Sequence, residues 1–314
     1  MILMDGKTYN VIDYDRFVLI VVVILCHIVN FGRLYPTLQN GMALVVMPAF
    51  LIITGYLVNV EKDRKTFLLY LLSIALPYTV MSLGYALLSL YLPVRDGATD
   101  CRLITLLDML LFHPIGPYWF FHTMMICAFL YYVSFNVLCK SDKFSAFILF
   151  IAFLIIVSWY IRLIPLRFAF SFLIGVGVRQ FCGDFMRFFR PSVFAAISLV
   201  LFMFSAAPSS WHDMTIILLA VCFLCFYSGC VNGRHGRLLD FMGYVGRNTF
   251  PVYVFHPVFT MAAKYMLPLF GFDPTGLSHT FVTVVLCVAG SLSIAFVMDK
   301  TRMSYCFGRK RILR

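Results

Sequence analysis

The chain has 314 residues, 62% of them hydrophobic and only 12% charged, with a mean hydropathy of +0.91. This excludes a soluble globular domain and describes an integral membrane protein, because apolar segments able to cross about 30 Å of hydrocarbon recur along the whole sequence. The net charge of +11 is read as membrane topology and lipid contact, not nucleic-acid binding, because the basic residues gather in alternate loops.

Ten spans are predicted, at 14–34, 40–60, 66–92, 117–139, 143–160, 164–181, 191–208, 213–232, 247–267 and 278–299. The first follows the charged "DYDRF", has no small-residue cleavage site and carries polar side chains, so it is read as a retained helix and not a signal peptide. The expected architecture is an all-α polytopic bundle of about ten transmembrane helices. It forms one domain over 1–314, with a basic tail at 300–314.

Of the 25 Lys and Arg residues, six fall on one side of this arrangement: Arg33, Arg95, Arg102, Arg162, Arg167 and Lys264. The other nineteen fall on the side of the N-terminus. Positive residues favour cytoplasmic loops, so both termini are expected in the cytoplasm and the protein in the inner membrane. The tail "RKRILR" is read as resting on anionic lipid.

Two connecting stretches exceed minimal turns. Residues 93–117 contain an apolar run between Asp108 and His113, too short for a span and expected to lie flat or re-enter. Residues 232–248, rich in Gly and Arg, lead into a helix N-terminus. Backbone amides and basic side chains there suit a phosphate, but positive-inside topology alone predicts the arginines and is the favoured reading.

Most of the ten cysteines lie within spans and act as small apolar residues. Cys222 and Cys225 have no second ligand pair, so no metal is expected. All fourteen Asp and Glu fall in loops or at span ends, which disfavours proton- or cation-coupled transport. No internal repeat is visible, which also disfavours a secondary transporter.

Three histidines lie inside spans: His27, His122 and His256. Arg16 and His27 are eleven residues apart, which on a helix returns almost to the same direction with a rise of about 16 Å. Both are therefore expected to face one cavity. A neutral imidazole at that depth is able to take a proton from a hydroxyl; the alternative is a packed histidine bonded to a backbone carbonyl or to Asn30. His256 precedes Pro257, which frees a carbonyl of the preceding turn and predicts a kink there. His122 follows Tyr118 and Trp119, which read as an interfacial aromatic belt.

At these residues the chain resembles the membrane-bound acyltransferase family 3. The family's first-span Arg, ten residues and a His are matched by Arg16 and His27. An aromatic stretch ending in Ser-Gly-Phe/Tyr resembles "AFLIITGYLV", with Thr54, Gly55 and Tyr56. A basic turn and a Pro-Tyr step resemble Lys62, Arg64, Lys65 and then Pro77-Tyr78, and a Trp-Phe pair is matched by Trp119-Phe120. A Gly-x-x-Ser turn before Ile-Tyr-x-x-His resembles "GRNTFPVYVFHP", giving Gly246, Asn248, Thr249, Tyr253 and His256. Thr replaces Ser twice, keeping a hydroxyl. The hydrolase-like domain fused to some members is absent here, so an acceptor is expected to meet the membrane domain itself or a separate partner.

The resemblance implies an O-acyltransferase moving an acetyl or other short acyl group from cytoplasmic acyl-CoA to a hydroxyl of a cell-surface or lipid-linked glycan. It implies catalytic roles for His27, Arg16, His256 and Tyr253. The acyl-CoA phosphates are assigned to Lys62, Arg64 and Lys65, with Arg187, Arg190 and Arg247 behind them. Trp119, His122, Thr54 and Asn30 are assigned to substrate. The expected partners are membrane lipid, acyl-CoA and the glycan acceptor, with no metal and no nucleic acid. Two other classes fit the same residues: an exporter of small molecules, and a non-catalytic partner of a polysaccharide assembly system.

Overall fold

The computed structural model describes residues 6–91, 98, 100, 102–190, 192, 195, 213–231, 234 and 236–314. The span predicted at 191–208 lies outside these apart from 192 and 195, as do Arg95 and Cys101.

Among the described residues there is no strand. The helices are α1 (Gly6–His27), α2 (Val29–Leu34), α3 (Pro36–Leu57), α4 (Arg64–Ser89), α5 (Leu103–Leu111), α6 (Trp119–Tyr132), α7 (Lys143–Ile155), α8 (Leu166–Gly177), α9 (Phe185–Phe188), α10 (Asp213–Val231), α11 (Arg237–Arg247), α12 (Thr249–Met266) and α13 (Leu277–Lys300). π-Helical turns extend α6, α7 and α8 to Leu138, Tyr160 and Cys182. The protein is an all-α membrane protein. Five segments, 36–57, 64–89, 103–138, 143–160 and 277–300, are by themselves long and apolar enough to cross a bilayer.

The other predicted spans that fall on described residues coincide with helices that are shorter or carry charge. Asp13, Asp15 and Arg16 stand well inside α1, and α8 has only 12 residues before its π turn. Asp15 is wholly buried, its Oδ2 accepting from Ser228 Oγ of α10 at 2.6 Å.

Two backbone approaches set the frame. On α3 and α8, Gly55 and Gly175 face each other: a Cβ on Gly175 would stand 2.0 Å from the Ile52 carbonyl oxygen, and one on Gly55 2.2 Å from that of Phe172. No side chain fits there, so the helices touch backbone to backbone, and Ile52, Ile53, Phe172 and Val176 close the core around them. The second approach joins α1 to α11, where a Cβ on Gly246 would fall 1.7 Å from the Asp13 carbonyl oxygen. The stretch at 232–248, read as a loop, is thus largely the helix α11, and it carries Arg247 to α1.

The stretch at 93–117 contains the short α5, which buries none of its residues. Its C-terminal carbonyls are held from the bundle. Tyr78 Oη donates to Leu110 O at 2.9 Å, and His122 Nε2 bonds Leu111 O at 2.9 Å. Unpaired helix-end carbonyls need such partners away from water.

Candidate active site

The first predicted span is broken. α1 ends at His27, Ile28 is extended (φ −83°, ψ 107°), and α2 restarts at Val29. Neither proline nor glycine stands at the break, so the local sequence does not cause it. It is held from α3, where the Gln39 side-chain amide donates toward the carbonyls of Leu25, Cys26 and Ile28 at 3.3, 3.0 and 3.3 Å. Gly32 leaves room for that amide, since a Cβ there would lie 2.0 Å from Gln39 Oε1. Irregular backbone at membrane depth survives where protein groups satisfy it, and one glutamine does so here.

The break leaves His27 at a helix end, accessible within a cavity. Its Nδ1 is 2.8 Å from the Val23 carbonyl oxygen. A carbonyl only accepts, so Nδ1 carries hydrogen and the Nε2 lone pair is left for chemistry. The Val23 carbonyl, not Asn30, orients the ring.

His256 is built the same way on α12. Pro257 has no N–H and leaves the Tyr253 carbonyl without its helical partner; His256 Nδ1 fills that vacancy at 2.9 Å and also approaches Val252 O at 3.2 Å. The ring is fully buried and its Nε2 has no partner. The rings of His27 and His256 meet edge to face, centroids 4.9 Å apart, and the Tyr253 ring lies 5.9 Å from that of His256. Tyr253 Oη donates to the Pro117 carbonyl, while Tyr118 Oη donates back to Val254 O at 3.2 Å. The two tyrosines stitch α12 to the turn before α6.

Two cavities flank this group. One, about 930 Å³, is lined by His27 with Gln39, Trp119, Thr123, His113 and Lys264 among others. The other, about 330 Å³, is lined by Arg16, Thr54, Lys62, Arg247, Thr249 and Tyr253, with Arg309 and Arg314. The single cavity expected for Arg16 and His27 is thereby corrected. The 16 Å rise that their spacing implies carries them into separate cavities; Phe120, Phe121 and Tyr253 line the smaller one and pack through His256 onto His27, and this aromatic group is the partition.

Arg16 is half-buried and doubly held. One Nη donates to Thr249 Oγ1 at 2.6 Å and the other to Asp13 Oδ1 at 3.3 Å, while Arg247 reaches Asp13 Oδ2 at 3.7 Å. The GRNT turn thus has a physical use at each end: Gly246 admits the α1 backbone, and Thr249 holds Arg16.

The remaining expected residues divide. Lys62 and Arg247 line the cationic cavity, and so does Thr54, whose hydroxyl donates back to Phe50 O at 2.7 Å. Trp119 lines the His27 cavity, stacked on Phe168 at 4.6 Å. Arg64, Lys65, Arg187 and Arg190 line neither cavity and are exposed. Asp63 caps α4 by accepting from Thr66 N at 3.1 Å, which starts the helix so that Arg64 and Lys65 point outward. His122 lines neither cavity; its Nε2 bonds Leu111 O at the end of α5, and its buried Nδ1 has no partner. Asn30 lies past the break, against the Gly276 turn. Gln39 carried no sequence signal, and Arg309 and Arg314, read from the tail's composition as lipid contacts, instead line the cationic cavity.

A family model described as an acyltransferase domain matches residues 9–299. The chain belongs to acyltransferase family 3. Its Arg16 and His27, and its Thr249, Tyr253 and His256, are the residues that the geometry gathers around the partition. No curated protein and no solved structure matches the chain.

Proposed function

We propose that this acyltransferase moves an acetyl or other short acyl group from cytoplasmic acyl-CoA to a hydroxyl of a cell-surface or lipid-linked glycan, with His27 as general base. In this reading it sits in the inner membrane with ten spans and both termini in the cytoplasm. The cationic cavity then opens to the cytoplasm and the His27 cavity to the other face. The observation that carries it is the free Nε2 of His27, open to a cavity while Nδ1 is fixed to Val23 O.

Lys62 and Arg247 hold donor phosphates, and the thioester reaches the partition beside Thr249 and Tyr253. Turning Tyr253 away from Pro117 joins the cavities. The acceptor hydroxyl gives its proton to His27 Nε2, its oxygen attacks the thioester carbonyl, and the C–S bond breaks. The departing thiolate takes the proton from the imidazolium, leaving acylated glycan, free thiol and neutral His27. Arg16 keeps the cationic cavity polar near the thioester, and His256 packs His27 into place.

The test is mass spectrometry of surface glycans from a deletion strain complemented with wild type or His27→Ala at equal membrane levels. An acyl mass present only with wild type supports the reading and names the group. The same mass in both strains makes His27 a packing residue. Export of an unmodified small molecule with no glycan change favours the exporter alternative.

A further inference from the structure

The basic tail does not trail from α13 but folds back onto the bundle. Met303–Phe307 forms a 3-10 turn, Ser304 Oγ donates to the Asp299 carboxylate, and that carboxylate also accepts from the backbone N–H of Ile312 (2.7 Å) and Leu313 (3.0 Å). Phe307 and Ile312 are buried, Phe307 stacking on Phe255. Asn248 grips the last residue from both sides, donating to Arg314 O at 3.1 Å and accepting from Arg314 N at 2.8 Å.

This return path sorts the basic residues. Arg309 points inward, donating from Nε to Ser73 O at 3.2 Å with its guanidinium 3.7 Å above the Phe250 ring. Burial, and then the neighbouring Arg314, pull its guanidinium down to about 10. Lys310, Arg311 and Arg314 are exposed, but of these only Arg314 lines the cationic cavity. Lipid contact suits Lys310 and Arg311, whereas Arg309 lines the cavity with Arg314. Five cationic side chains now line that cavity: Arg16, Lys62, Arg247, Arg309 and Arg314. The lining includes no Asp or Glu side chain, and Asp13 stands behind it between Arg16 and Arg247. A confined positive site of this kind concentrates a polyanion.

We infer that the folded tail is a wall of the donor site, and that Arg309 and Arg314 are further binding residues for the phosphates of the acyl donor. This rests on the acyl-CoA reading above. Asp299 and Asn248 act through them, as positioning residues for the tail.

The test is titration of the full-length chain in detergent micelles with coenzyme A and, separately, with pantetheine, which has the arm but no phosphate. Arg309→Gln and Arg314→Gln are each expected to raise the Kd for coenzyme A roughly tenfold, the scale of one lost charge-assisted contact, and to flatten its salt dependence. Pantetheine binding is expected to stay unchanged, Lys310→Gln to match wild type, and Arg309→Lys to recover part of the loss. Unchanged thermal unfolding separates these effects from misfolding; where Arg309→Gln unfolds, Arg309→Lys and Arg314→Gln carry the test. Coenzyme A binding that survives both Gln variants overturns the inference and leaves the donor reading intact. A wild-type chain that ignores coenzyme A overturns both. In that case, sedimentation with phosphatidylglycerol vesicles, lost in the same variants, assigns the arginines to lipid phosphate.

Discussion

The imidazoles of His27 and His256 meet edge to face with centroids 4.9 Å apart, each giving its Nδ1–H to a carbonyl of its own helix. Two helices from opposite ends of the sequence thereby present both Nε2 atoms away from the backbone. The pair depends on Pro257, which frees the carbonyl that orients His256. Pro257→Ala restores a helical N–H to Tyr253 O. The expected outcome is a helix more stable by up to about 3 kcal/mol in thermal unfolding, with lower acyl-transfer activity because His256 loses its orienting bond.

Gln39 predicts a different pattern. Gln39→Leu leaves three carbonyls at the break without a donor, costing about 1–3 kcal/mol and loosening His27. Gln39→Glu is expected to be worse, since a carboxylate cannot donate to those carbonyls. Unfolding temperatures in detergent, measured beside the transfer rate, check the order wild type, Leu, Glu.

Most of the helices were legible in the sequence because apolar length is a local property. Nine of the ten predicted spans coincide with described helices, and the order of Arg16, His27, Tyr253 and His256 was readable from their motifs. The break at Ile28 was not, because its cause is Gln39 of the next helix acting through the space over Gly32. The tail was not, because a basic composition reads the same on a lipid surface as inside a cavity. What folds the tail inward is its hydrogen bonding to Asp299 and Asn248, which its composition does not reveal. The contact of His122 with Leu111 O was not legible for a related reason: an imidazole near a span end gives no sign that it is tied to the end of another helix.

Thr249 links the GRNT turn to Arg16. Thr249→Val removes the acceptor 2.6 Å from the guanidinium and is expected to raise the KM for the acyl donor roughly tenfold with a smaller change in kcat. Thr249→Ser keeps the hydroxyl and stays near wild type. Steady-state rates against donor concentration distinguish them.

The glycines give a paired test of packing. Gly175→Ala places a Cβ 2.0 Å from Ile52 O and is expected to cost about 1–3 kcal/mol or more by forcing α3 and α8 apart. Gly84→Ala, within α4 and with nothing inside 4 Å of its Cβ, is expected to stabilise by about 0.5–1 kcal/mol. Thermal unfolding of the two variants should move in opposite directions.

The central claim is that His27 Nε2 removes the acceptor proton. Its most direct test is the initial rate of labelled acetyl transfer from acetyl-CoA to membrane-bound glycan, in vesicles holding equal amounts of wild type or His27→Ala. The account predicts a loss of about 10²–10⁴-fold in kcat for His27→Ala, with donor binding unchanged because Arg16, Lys62 and Arg247 lie in the other cavity. Transfer by His27→Ala at the wild-type rate would contradict it.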